Sequence, residues 1–521
     1  MKLPAPTFFV SAVALLTAAC AVHDEPRVNT KQGVVMGAEA DGIRMFKAIP
    51  YAAPPIGSLR WKPPAAPLKW EGVRDATQFG SPCPTFDTTK YAQATRLSDL
   101  GYDIFSGVPL APGSTEDCLT LNVWAPKDAK SAAVMVWINP LGASSNPMWD
   151  GTAFARNGVI LVSFNYRQLS LGNFSHPALR ASAKQDEPLG RFQTMDQLAA
   201  LKWVKENIRA FGGDENNVTL FGLSAGGASA LQILTIPKAK GLVDKAIIQS
   251  GNGWWSPITQ TEMEVIGTWM ATEAGWPADA TAEQLRSFSL DKLPHLGAYS
   301  IDGRLQTQNA TDVIAAGRAI DVPMIVGWND FDGSSLRYSP QVVIDRTSAD
   351  VRGAYASEGK TGEEFGYQLY TDSHKGAPAR WTAKMTASGK PTYLYLWTYV
   401  RSAERGKVRG AAHGSEAPFV FDSWDKAYPQ VELTAEDKAA ARMIHSCWVS
   451  FAKTGKPQCE GAPDWPRYSP EQDQLMELGS TPRVIAGYRK AQLDAQESEM
   501  QDVIDQTRAS VEELVRSLKR Q

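Results

Sequence analysis

Twelve residues constrain this chain more than any others: Asn216-Asn217-Val218-Thr219-Leu220-Phe221-Gly222-Leu223-Ser224-Ala225-Gly226-Gly227. Val218 to Phe221 have strand character, Gly222-x-Ser224-x-Gly226 comes at once after them, and Ala225 to Leu234 is compatible with a helix. A strand that turns sharply into a helix leaves no room for side chains beside the serine, and glycines at 222 and 226 relieve the crowding. Ser224 is then expected at the top of a sheet, facing the free amides and positive dipole end of the next helix.

The segments around this turn tell what kind of sheet it sits in. Ala133 to Ile138, Val159 to Phe164, Lys245 to Ser250, Pro323 to Gly327 and Thr392 to Trp397 are short, nearly continuous apolar runs. Such runs fit strands covered on both faces, as in a parallel sheet. Cys118 to Trp124 alternates apolar and polar residues, which predicts a strand with one wet face. Met195 to Ala210 carries Leu198, Leu201, Val204 and Ile208 on one helical face and stops before Gly212-Gly213. Strands alternating with helices give an α/β fold with a mostly parallel central sheet flanked by helices. The long helical connections 255–320 and 335–390 are expected to form caps or lids over the site. Val34 to Ala76 is too rich in proline for helix and reads as an extended packed loop.

Both ends of the chain differ from this body. Residues 1–20 combine Lys2, an apolar core from Phe8 to Leu16 and the small residues Thr17-Ala18-Ala19 before Cys20. That reads as a bacterial secretory signal, of lipoprotein type with Cys20 as the lipid acceptor and membrane tether, the alternative being ordinary cleavage nearby with Cys20 lost. The expected location is the periplasm or an outer-membrane anchor. Beyond the body, taken as residues 21–485, residues 486–521 form a charged C-terminal helix. Met500, Ile504, Thr507, Val511, Leu514 and Leu518 draw a narrow apolar seam along it, suited to self-association or to docking on the chain's own body. The four remaining cysteines suit two disulfides in an oxidising compartment. Neighbour pairing, Cys83 with Cys118 and Cys447 with Cys459, is the simplest of three connectivities. A net charge of −3 provides no basic field for nucleic acid, and no Cys/His spacing suits a metal.

A serine hydroxyl needs a base, usually a histidine held by a carboxylate. Of six histidines, His23 is in the N-terminal tail, His176 precedes a proline, His295 and His374 fall in the long connections, and His445 lies in an apolar helix. His413, in the small-residue loop Gly410-Ala411-Ala412-His413-Gly414-Ser415-Glu416, comes after the last strong strand. In an α/β-hydrolase, where the order is serine, acid, histidine, that is the base's place. The acid belongs at a strand end between them. Met324 to Gly333 supplies Asp330 and Asp332, which the residues alone do not separate.

From Val34 to Tyr468 the chain resembles the type-B carboxylesterases, the family of para-nitrobenzyl esterases, carboxylesterases and cholinesterases. The resemblance is carried by Phe46 to Trp61, Glu116-Asp117-Cys118-Leu119, Asn165-Tyr166-Arg167, Phe211-Gly212-Gly213-Asp214, the serine turn, Gln249-Ser250-Gly251 and Phe451-Ala452-Lys453-Thr454-Gly455. It implies an α/β-hydrolase fold, a Ser224-Asp332-His413 triad, a Cys83–Cys118 disulfide, a small-molecule ester as substrate and no cofactor or metal.

Three departures from the family pattern stand out. Leu223 replaces the usual glutamate before the serine, and the acid is Asp rather than Glu. The oxyanion loop, His-Gly-Gly-Gly in the family, reads Asn139-Pro140-Leu141-Gly142-Ala143. The resemblance assigns its donors to the amides of Leu141 and Gly142, with Ala225. Leu141 is then expected in a backbone geometry that glycine adopts more cheaply, with its side chain narrowing the cleft. Trp254 and Trp255 are candidates for an aromatic pocket wall or for core. The altered loop also admits a rival reading, a catalytically weak relative that binds a partner.

Overall fold

A computed structural model describes residues 25–85, 95–96, 104–106, 110–251, 253–256, 258–292, 295–296 and 300–520. The expected signal segment, with Cys20, lies outside these residues. The frame is an eleven-stranded sheet. Its strands are β1 (Ala38–Ala40), β2 (Ile43–Pro50), β3 (Thr120–Pro126), β4 (Ala132–Ile138), β5 (Ile160–Phe164), β6 (Gly213–Leu223), β7 (Lys245–Gln249), β8 (Met324–Asn329), β9 (Thr392–Trp397), β10 (Gln474–Leu478) and β11 (Arg483–Ala486). They lie in the order β11-β10-β9-β8-β7-β6-β4-β5-β3-β2-β1. From β5 to β10 every neighbouring pair is parallel. Antiparallel pairs finish both edges. The apolar runs read as doubly covered strands are buried throughout in β5, β7, β8 and β9.

β3 corrects the expectation of a wet face. It lies inside the sheet between β5 and β2, and its residues 121–125 are all buried. Asn122 is polar because its amide donates to Ser144 Oγ and Ser163 Oγ, each at 3.1 Å, and its carbonyl accepts the Ala48 amide. A side chain with internal partners alternates in sequence like a solvated one.

Six helices border the site or close the chain: α1 (Phe192–Asn207), α2 (Ala225–Ile233), α3 (Gln260–Glu273), α4 (Ala435–Thr454), α5 (Lys490–Ser498) and α6 (Met500–Leu518). The C-terminal region is thus two helices rather than one. Ile504, Val511, Leu514 and Val515 of α6 are buried, and Arg508 pairs with Glu262 of α3. The apolar seam therefore docks, at least in part, on the body of the same chain. The connection 335–390 is largely helical, as expected, whereas 255–320 is less so: its helices Gln260–Glu273, Ala282–Ser287 and Ala310–Ala315 are separated by turns and short strands. Both neighbour-paired disulfides form, Cys83 to Cys118 and Cys447 to Cys459. Trp254 is buried in the main core and Trp255 packs against it, so the tryptophans belong to the core.

Candidate active site

β6 delivers Ser224 into the turn before α2 with φ 54° and ψ −120°. A non-glycine residue holds this left-handed conformation only where its surroundings enforce it. Here they do. The Ser224 amide donates to Gln249 O at 2.8 Å, and its carbonyl accepts the Ala228 amide at 2.8 Å. A Cβ at Gly222 would come within 2.5 Å of the Gly226 carbonyl carbon, and one at Gly226 within 2.0 Å of Ile138 O. Both glycines are needed because backbone, not movable side chain, occupies the space.

The two other candidate residues meet across a loop pair. After β8 the chain forms a parallel bridge between Phe331 and Ala412. Asn329 Nδ2 donates to Ala412 O at 2.7 Å, and the His413 amide donates to Ser334 Oγ at 2.7 Å. The bridge sets His413 Nδ1 2.5 Å from Asp332 Oδ1. Asp330 points elsewhere, its Oδ1 accepting the Ala411 amide at 2.7 Å. Of the two carboxylates that the sequence left open, Asp332 is the one that reaches the histidine. The histidine loop also lies against the serine turn: a Cβ at Gly414 would stand 3.3 Å from Leu223 Cδ2. Leu223, where the family has glutamate, is buried beneath that loop.

Asp332 is fully buried, and its second oxygen accepts from Ser250 Oγ and from the Asn329 amide, each at 2.8 Å. Burial opposes its ionisation. The facing His413, the hydrogen bond between them, Lys375 and the Asn329 amide outweigh burial and hold the carboxyl below its ordinary value. Lys375, on a π-helical turn from Asp372 to Gly376, donates to Ser250 O at 3.0 Å. Burial lowers the Lys375 pKa, with Asp332 acting against it. Beneath the loop, Glu416 accepts from Asn329 Nδ2 at 2.7 Å and Gln249 Nε2 at 3.2 Å, and burial raises its pKa.

Ser250, Lys375 and Glu416 were not singled out from sequence. Ser250 had a visible signal, since Gln249-Ser250-Gly251 ends the strand next to the serine strand. Lys375 and Glu416 had none. Three of the other histidines have structural roles. His445 Nδ1 lies 2.7 Å from Val420 O in the core, His176 accepts the Ala178 amide, and His374 stacks on Tyr370. Burial pushes His374 down to about 4.

On the opposite side of Ser224 runs the Asn139–Ala143 loop. Its left-handed residue is Gly142, at φ 87°; Leu141 is absent from the left-handed non-glycine residues. Glycine thus remains where the backbone requires it, and Leu141 escapes the strain expected of it. The Leu141 residue is 40% exposed, so its side chain reaches solvent. The Gly142 amide donates to Gln168 Oε1 at 3.0 Å, which was not foreseen. Of the three expected oxyanion donors, this one already has an acceptor.

Known proteins resemble this chain along most of its length. The carboxylesterase family profile matches residues 24–356 and 345–496. The para-nitrobenzyl esterase of Bacillus subtilis (strain 168) is 34% identical over 488 residues, covering 87% of this chain and 94% of its own length. The fumonisin B1 esterase of Sphingopyxis macrogoltabida is 31% identical over 522 residues, covering 91% and 90%. A solved thermophilic PNB esterase superposes with a TM-score of 0.76 at 29% identity, covering 91% of this chain and 100% of that one. The fold is the α/β-hydrolase fold, and the chain belongs to the type-B carboxylesterase family, whose chemistry is the hydrolysis of carboxylic esters.

Proposed function

We propose that the chain is an exported serine carboxylesterase working through an acyl-enzyme on Ser224. The observation that carries this reading is the His413–Asp332 hydrogen bond, formed on a loop that packs against the serine turn. Ser224 Oγ attacks the ester carbonyl while His413 Nε2 takes its proton. Nδ1–H of the ring donates to Asp332 Oδ1, which fixes the tautomer and stabilises the imidazolium. Amides at the start of α2 and in the Asn139–Ala143 loop stabilise the tetrahedral oxyanion. The imidazolium protonates the leaving alcohol, and a water activated by the same ring then hydrolyses the acyl-enzyme. The names of the relatives support carboxylic esters as first substrates to try, para-nitrobenzyl esters among them.

Hydrolysis of para-nitrophenyl butyrate by the wild type and a Ser224→Ala variant tests the proposal. The wild type should turn over and the variant should fall by at least about 10³-fold. Equal, background-level rates would leave the partner-binding reading in its place. For the export signal, palmitate should label the wild type expressed in a bacterium, and a Cys20→Ser protein that kept the label would refute lipidation at that residue.

A further inference from the structure

The Asn139–Ala143 loop has one glycine where the family pattern has three, yet three of its four peptide planes are individually tied down. Tyr166 Oη donates to Asn139 O at 2.6 Å, fixing the plane between 139 and 140. The Gly142 amide donates to Gln168 Oε1 at 3.0 Å, fixing the plane between 141 and 142. Gln168 Nε2 at 2.9 Å and Asn139 Nδ2 at 2.8 Å both donate to Gly142 O, fixing the plane between 142 and 143. The plane between Pro140 and Leu141 is the one these bonds leave, and it carries the Leu141 amide. It is held from both sides by the fixed planes, and the proline ring fixes φ at 140, the joint to the plane before it.

Gln168 is suited to this task. Only 1% of it is exposed. It comes directly after Arg167, whose guanidinium makes a buried two-point pair with Asp196 of α1 at 2.8 and 2.7 Å. The carboxamide orientation is determined, because the flipped amide would set donor against donor and acceptor against acceptor at Gly142. The Gly142 N–H already has an acceptor in Gln168, and an oxyanion beside Ser224 would have to share or displace it.

We infer that Gln168 is a positioning residue: it withdraws Gly142 from the oxyanion hole and uses that residue's peptide to set the Leu141 amide, leaving Leu141 and Ala225 as the working donors. The inference rests on the Ser224 mechanism proposed above. It assigns Gly142 a structural role where the family resemblance made it a donor.

The test compares wild type, Gln168→Met and Gln168→Glu on para-nitrophenyl butyrate, with kcat divided by the fraction of sites titrated by a fluorophosphonate, so that misfolded protein does not count. Methionine keeps the length without the hydrogen bonds; glutamate keeps an acceptor for the Gly142 amide and loses the donor to Gly142 O. For Gln168→Met, kcat should fall roughly 10- to 100-fold, somewhat less than loss of a whole oxyanion donor. KM should stay within about threefold, because the hole acts on the transition state. Affinity for a trifluoromethyl ketone, whose adduct carries an oxyanion, should fall in parallel. Gln168→Glu should lie between the two. A higher kcat in Gln168→Met would mean that Gln168 masks a donor, and an unchanged kcat and ketone affinity would mean that it positions nothing; either overturns the inference. Failure of the underlying mechanism reads differently, as a wild type that neither turns over nor reacts with fluorophosphonate.

Discussion

The loops on the two sides of Ser224 do comparable jobs with different kinds of atoms. On the acid–base side, Asp332 and His413 must present particular side-chain atoms to one another, and each is backed by further side chains: Ser250 on Asp332, Ser334 on the His413 amide, and Asn329 bonded to both Ala412 and Glu416. On the oxyanion side the groups that the proposed mechanism uses are backbone amides, which every residue but proline supplies. Side-chain identity is therefore constrained on the first side and free to vary on the second, provided something holds the peptide planes. Here Tyr166, Gln168 and Asn139 hold them.

The comparison is sharpened most by Asp332→Asn. An amide at 332 either donates to His413 Nδ1 and fixes the wrong tautomer, or presents an oxygen with no charge to stabilise the imidazolium. We expect kcat to fall by about 10⁴-fold, or about 5 kcal/mol of transition-state stabilisation. A loss below tenfold in a variant with a native far-UV spectrum would remove Asp332 from the mechanism.

A smaller loss is expected on the other side. Leu141→Pro deletes one N–H from a partly exposed residue outside the left-handed region and leaves the tethers on Asn139 and Gly142 in place. If Leu141 is a working donor, kcat should drop about 10²- to 10³-fold with KM little changed. A drop below about fivefold, with the melting temperature kept, would return the donor role to Gly142.

The same division separates what was legible in the sequence from what was not. The serine turn, the buried strands and His413 could be read because each needs certain residue types at fixed spacing: Gly222 and Gly226 against backbone, Val and Ile runs in β5 and β7. Asp330 and Asp332 could not be separated from residue types, since either suits a turn; only the bridge between Phe331 and Ala412 decides which one faces His413. Gln168 was invisible because its partner is a backbone amide 26 residues away, and a side chain bonded to backbone leaves no mark on the partner's identity. Asn122 misled for a related reason: its partners are buried Ser144 and Ser163, not water.

The carboxylate that the bridge leaves out yields the smallest effect on rate and a distinctive one on stability. Burial raises the Asp330 carboxyl to about 6; the Ala411 amide opposes this, and the nearby Asp332 and Glu477 add to it. A carboxyl whose folded value lies above its unfolded value binds more protons in the folded state between about pH 4 and 6. The stability it contributes is thus present at acidic pH and is lost as the pH rises through about 6. The full shift corresponds to at most about 3 kcal/mol, and partial exposure of the group reduces this to roughly 1–2 kcal/mol. Asp332 has the opposite sign: its lowered value gives stability above the ordinary carboxylate range, lost only as the pH falls through it. Asp330→Asn keeps an acceptor for the Ala411 amide but cannot ionise. Urea unfolding should therefore find the variant close to wild type at pH 4 and more stable at pH 7.5, with kcat changed less than about threefold. A stability difference that stays constant across that range would show that Asp330 keeps its ordinary carboxylate value in the folded chain.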